Sequence, residues 1–204
     1  MAAADAQLAA RLQPLSALER DVLERCIHSS GDLGLAAELR FDPVAAACEQ
    51  GLAALQAGAP ILCDTAMAAA AVAPMAGRTL GNRVLCLLDW APPQAPVGDT
   101  RSAAAVAVAW AELTRGLGEP APVVLIGSAP TALERLLDAV VGGAAAPSLV
   151  IGMPVGFIGV AQSKQRLADS GLPQVRLEGS KGGAGLVAAT CNALLRQGAL
   201  QAAS

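Results

Sequence analysis

The sequence predicts an α/β fold: a doubly wound, mainly parallel sheet of about five strands, covered by helices on both faces. Two observations carry this. Five short runs, Pro60–Asp64, Arg83–Asp89, Val123–Gly127, Ser148–Gly152 and Gln174–Gly179, are rich in apolar residues and closed by an acid or a glycine, and they read as strands buried on both faces. A segment with helical character follows each run, over roughly 65–73, 100–116, 130–142, 159–170 and 183–197. Such strict alternation gives parallel strands joined by right-handed helical crossovers.

Two helices precede the first run. Ser16-Ala-Leu-Glu19 is a capping box, and it opens a helix whose apolar residues Leu18, Val22, Leu23, Cys26 and Ile27 keep helical spacing. Gly31 supplies its stop, so His28 falls in the last turn or just past it. Asp42-Pro43 reads as an N-cap and first-turn proline for a second helix running to about Gly58. The segment Ala91–Asp99 is a long loop, of a kind that often borders a site.

Composition narrows the function. The chain has 204 residues and a formal net charge of −3, is 54% hydrophobic and only 2% aromatic, and has no tyrosine. An acidic chain poor in aromatics suits neither a phosphate backbone nor base stacking, so no nucleic-acid partner is expected. No apolar run reaches the ~18 residues of a membrane helix, and no membrane partner or secretory signal is expected. The five cysteines, 26, 48, 63, 86 and 191, form no CxxC pair and share one histidine. No metal site is therefore expected, and the cysteines read as buried thiols of a cytoplasmic protein. Residues 1–204 read as one domain, with 1–14 a divergent, flexible N-terminal segment.

In doubly wound sheets ligands bind beyond the carboxyl ends of the strands. The residues expected there are Thr65, Thr100-Arg101-Ser102, Ser128 and Thr131, and Lys181-Gly182-Gly183. Several stand just before a helix, where free N–H groups attract anions. Two readings stand for the charged ones. His28 is either a helix-end cap or a proton carrier. Arg101 and Lys181 are either solvated surface residues or carboxylate clamps. The absence of a glycine fingerprint after the first strand, and of a GxxxxGK[ST] loop, weighs against a nucleotide-binding protein.

The strings GDTRSAAA (98–105), IGSAPTAL (126–133), IGMPVGFIGVAQSK (151–164) and KGGAG (181–185), with RCIHSSGD (25–32) and LQAGAPILCDTAM (55–67), occur in this order. They resemble the precorrin-8X and cobalt-precorrin-8 methylmutases of cobalamin biosynthesis, over about residues 15–197. The resemblance implies a flavodoxin-like sheet, a homodimer and an isomerase without a cofactor. That isomerase moves a methyl group from C-11 to C-12 of the tetrapyrrole, giving hydrogenobyrinate or cobyrinate. It implies His28 as the proton donor and Arg101 as a contact to a substrate carboxylate. A histidine titrates near pH 6.5, so it can hold and release a proton at neutral pH. Ser180 stands where members commonly carry arginine, Ser128 where asparagine is usual, and Ala66 where many carry an acid. A corrinoid-binding carrier without catalysis is the alternative reading.

Overall fold

The computed structural model describes residues 15–115 and 120–203. The expectation for residues 1–14 lies outside them. The chain runs α1 (Ala17–Ser30), α2 (Leu35–Glu38), β1 (Leu39–Asp42), α3 (Ala47–Gln56), β2 (Ile61–Cys63), α4 (Ala66–Arg78) and β3 (Val84–Cys86). A 3-10 turn (Leu87–Trp90) follows, then α5 (Arg101–Leu113), β4 (Val123–Ile126), α6 (Pro130–Val141), β5 (Leu149–Gly152), α7 (Val160–Asp169), β6 (Gln174–Leu177) and α8 (Ala184–Ala202).

Among the described residues, six strands lie in the order β1-β6-β5-β4-β2-β3. The five expected strands are β2 to β6, all parallel. Taken alone they have the 2-1-3-4-5 order of flavodoxin-like sheets. The sixth, β1, is an antiparallel edge strand that pairs Leu39 with Leu177 and Asp42 with Gln174. The reading of Asp42-Pro43 as a helix start is thereby corrected. Asp42 ends a strand, its peptide to Pro43 is cis, and the helix begins at Ala47. A four-residue edge strand is too short to show a hydrophobic period beside a strong Asp-Pro signal.

Strand residues alternate between two cores. Ile61, Cys63, Val123, Leu125, Leu149, Ile151, Val175 and Leu177 pack with α1, α3, α4 and α8. Leu62, Val124, Ile126 and Val150 pack with α5, α6 and α7 on the opposite face. Trp110 is buried in the second core, and its indole N–H donates to the Ala145 carbonyl at 2.9 Å. Helix α4 continues through Pro74 to Arg78 rather than ending near 73. Proline removes one ladder hydrogen bond, while Val72 and Ala76, buried on either side of it, hold the helix in the core.

The capping box forms as read. Glu19 N donates to Ser16 Oγ at 3.2 Å, and Ser16 N donates to Glu19 Oε2 at 2.9 Å. Glu19 Oε1 also accepts from Ala45 N at 2.7 Å, tying the loop after β1 to α1.

Candidate active site

Strands β2 and β4 are neighbours from which the chain winds away in opposite directions, so the crevice at their carboxyl ends is the topological switch point. Asp64, next after β2, fills it. Its Oδ2 accepts from the N–H groups of Gly127 (3.0 Å), Ser128 (2.6 Å) and Ala129 (2.9 Å). These are the amides ahead of α6, where a doubly wound protein ordinarily receives a ligand anion. Asp64 is 1% exposed and its Oδ1 has no partner among the described residues. Burial raises its pKa against the lowering pull of the three N–H groups. Sequence reading placed anion-receptive donors at this turn; the protein's own carboxylate already occupies them. Asp64 itself stands at the strand end in the sequence, where a carboxylate closing a wholly apolar run is a readable signal of a buried acid.

The turn between β6 and α8 is held from beneath by a charge of the opposite sign. Lys164 Nζ donates to the carbonyls of Gly179 (2.8 Å) and Lys181 (2.7 Å), and Gly156 N donates to that of Ser180 (3.0 Å). Lys164 is 4% exposed, and burial lowers its pKa to about 8, with Glu38 opposing. Lys164 stands inside a recognised string but drew no role. Its signal lay in the spacing: Val160, Ser163, Lys164 and Leu167 form the buried stripe of α7. Gly183 N donates to Met153 O at 2.9 Å. A Cβ on Gly182 would lie 2.0 Å from that same oxygen. The Lys181 side chain bridges Asp32 and Glu38, each at 2.9 Å. Its hydrogen bond holds the Asp32 carboxyl below the usual range, and both acids raise the Lys181 pKa.

The other predicted residues lie around these turns. Thr65 caps α4, its hydroxyl accepting from Ala68 N at 3.2 Å. Thr100 caps α5, accepting from Ala103 N at 3.2 Å, and its hydroxyl meets that of Thr131 at 2.7 Å. Arg101 is exposed at the first position of α5, with its Nε donating to Pro92 O at 2.7 Å. Ser102 follows, half-buried. Asp99 pairs with Arg135 at 2.7 Å. Thr100 and Thr131 are thus brought together across two helix starts, with Arg101 beside them.

His28 is exposed in the last turn of α1. It lines an open groove with Asp21, Glu24 and Arg25 of its own helix and Arg196 of α8. Arg196 is ion-paired with Asp21. Four residues beyond His28, Asp32 meets Lys181, which joins the end of α1 to the β6–α8 turn. Beside that turn, the β5–α7 loop leaves Phe157 and Ile158 exposed, 89% and 92%. Among the described residues, no group of three or more His, Cys, Asp or Glu is placed to hold a metal, and no helix is long and apolar enough to cross a membrane.

A family model described as precorrin-8X methylmutase matches residues 1–197. The chain belongs to the precorrin-8X methylmutase family. It is 45% identical over 175 residues to the precorrin-8X methylmutase of Pseudomonas aeruginosa, covering 83% of this chain and 80% of that one. It is 35% identical over 193 residues to the cobalt-precorrin-8 methylmutase of a Synechocystis strain, covering 89% and 86%. The fold superposes on the crystal structure of the Thermus thermophilus precorrin-8X methylmutase with a TM-score of 0.79 at 43% identity, covering 92% of this chain and 89% of that one. Members are isomerases whose chemistry is methyl migration within a tetrapyrrole, so this chain is an isomerase of cobalamin biosynthesis.

Proposed function

We propose that this methylmutase takes precorrin-8X or cobalt-precorrin-8 and moves the methyl group from C-11 to C-12, giving hydrogenobyrinate or cobyrinate, with His28 as the proton donor. Family membership over residues 1–197 carries the reading. The exposure of His28 beside two arginines supports its role.

The migrating methyl leaves one ring carbon and joins another within the same molecule, so no net electron transfer occurs and no cofactor is required. Protonating a ring nitrogen draws electron density away from the conjugated system and eases the shift. A positioned histidine contributes about 10²–10⁴-fold in such a role. The substrate rim carries carboxylates. Arg101 can take one in a two-pronged contact, for which its remaining guanidinium N–H groups suffice. Thr100, Ser102 and Thr131 offer hydroxyls beside it, as does Thr65 at the start of α4. Ser128 contributes its hydroxyl only, since its N–H serves Asp64. Lys181 and Gly182 hold a second carboxylate, while the Gly183 N–H, which serves Met153 O, fixes the turn that presents them. Phe157 and Ile158 give the ring an apolar surface. A homodimer in the cytoplasm completes the reading, supported by alanine-rich helices that permit close pairing.

Incubating the purified protein with precorrin-8X, followed by visible absorption, tests this. The expected result is conversion to the rearranged corrin chromophore. A protein that binds precorrin-8X tightly without converting it overturns the isomerase reading in favour of a carrier.

A further inference from the structure

The β6–α8 turn has three successive carbonyls, those of Gly179, Ser180 and Lys181, and each accepts an internal donor. Lys164 serves the first and third. A peptide plane whose carbonyl faces inward turns its own N–H outward. Accordingly, the N–H groups of Ser180, Lys181 and Gly182 have no protein acceptor among the described residues. Gly182, at φ +157° and pressed against Met153 O, gives the turn no room to rotate.

Burying an ammonium is costly unless it is paired or its protons are hydrogen-bonded. Lys164 makes no ion pair within 4 Å among the described residues; its acceptors are two backbone carbonyls. From the same turn Lys181 reaches Asp32 and Glu38. Asp32 follows Gly31, the left-handed residue that ends the His28 helix. Contacts therefore run from α7, through the turn, to the end of α1.

We propose that Lys164 is a positioning residue: it holds the Gly179–Gly183 turn with its amides outward to receive a carboxylate of the substrate, and through Lys181 and Asp32 it fixes the end of the His28 helix. This rests on the methylmutase reading above. Lys164 touches no substrate. Its contribution is the orientation of the peptide planes that do.

Three readouts on Lys164→Met, with Lys164→Arg beside it, test the proposal: hydrogenobyrinate titration, amide hydrogen exchange of the turn, and thermal unfolding. Methionine keeps the apolar stem and removes the donors. Its expected dissociation constant for hydrogenobyrinate is about tenfold weaker, equivalent to ~1.4 kcal/mol. Exchange across Gly179–Gly183 speeds up, while the loss of two carbonyl partners and the removal of a buried charge act on the unfolding temperature in opposite senses. Arginine, which can donate to both carbonyls, restores part of the binding. If wild-type protein binds hydrogenobyrinate and Lys164→Met binds it equally well, the inference about Lys164 fails alone. A lowered unfolding temperature with unchanged exchange in the turn also overturns it, assigning Lys164 to stability. Wild-type protein that does not bind hydrogenobyrinate overturns the methylmutase reading, whatever the turn's exchange shows.

Discussion

The turns after β4 and β6 look alike in sequence, Gly127-Ser128 and Gly179-Ser180, yet they are built with opposite polarity. At the first, three N–H groups point inward onto the buried carboxylate of Asp64. At the second, carbonyls point inward onto the buried ammonium of Lys164. The turns also touch: a Cβ on Gly127 would lie 2.8 Å from Ala184 N and from the Gly183 carbonyl carbon. The charge beneath a glycine turn thus decides which of its groups remain for a ligand. The Asp64 turn has spent its donors on the protein, while the Lys164 turn keeps them for the solvent side.

Five substitutions probe this contrast. Gly182→Ala should do most. It forces a Cβ against the Met153 carbonyl at a φ that side chains rarely adopt, so urea unfolding should show a loss of about 4 kcal/mol. A loss below half that would mean the turn has slack. Asp64→Ala comes next, leaving three N–H groups without their acceptor, at a cost of about 3 kcal/mol in the same measurement. Formate, a small carboxylate, should recover part of the unfolding temperature by occupying the vacated place. No response to formate would show that Asp64 acts by packing rather than as an internal anion.

The two buried charges should also tilt the pH dependence of stability in opposite senses. Lys164 titrates at about 8 in the fold against a usual 10.5. The unfolded chain therefore binds more protons between those values, and stability rises with pH through that window. The Asp64 pKa is raised, so the folded chain holds the extra proton, and stability falls as pH climbs from the usual carboxylate range toward the raised value. Lys164→Met should abolish the alkaline rise and Asp64→Asn the acidic fall, read from denaturant unfolding at stepped pH. An alkaline rise that survives in Lys164→Met belongs to another group. The smallest effect is expected from Thr131→Val, which breaks an exposed hydroxyl pair with Thr100. It should cost less than about 1 kcal/mol of stability while raising the KM for precorrin-8X.

The parallel sheet was legible because five apolar runs and their helices repeat one rhythm, and the capping box at Ser16 because its spacing is specific. Strand β1 was not legible: four residues of edge strand carry no period, and Asp42-Pro43 mimics a helix start. Helix α4 outran Pro74 because burial of Val72 and Ala76 outweighs one missing hydrogen bond. Around the site, the positions of Thr100, Arg101, Thr131 and the Lys181–Gly183 turn followed from strand ends. The partners beneath them did not, because Asp64 lies 63 residues from Gly127 and Lys164 lies 15 from Gly179. Only folding sets the sign of the charge under each turn. The pairing of Lys181 with Asp32 and Glu38 is likewise a tertiary contact that spacing does not announce.

The most direct test of the central claim is the rate of a single turnover of precorrin-8X, with protein in excess, for wild type and His28→Ala across a range of pH. A required proton donor predicts wild-type conversion that slows as pH rises, and a variant at least ~100-fold slower that has lost this dependence. A His28→Ala protein converting at the wild-type rate would contradict it.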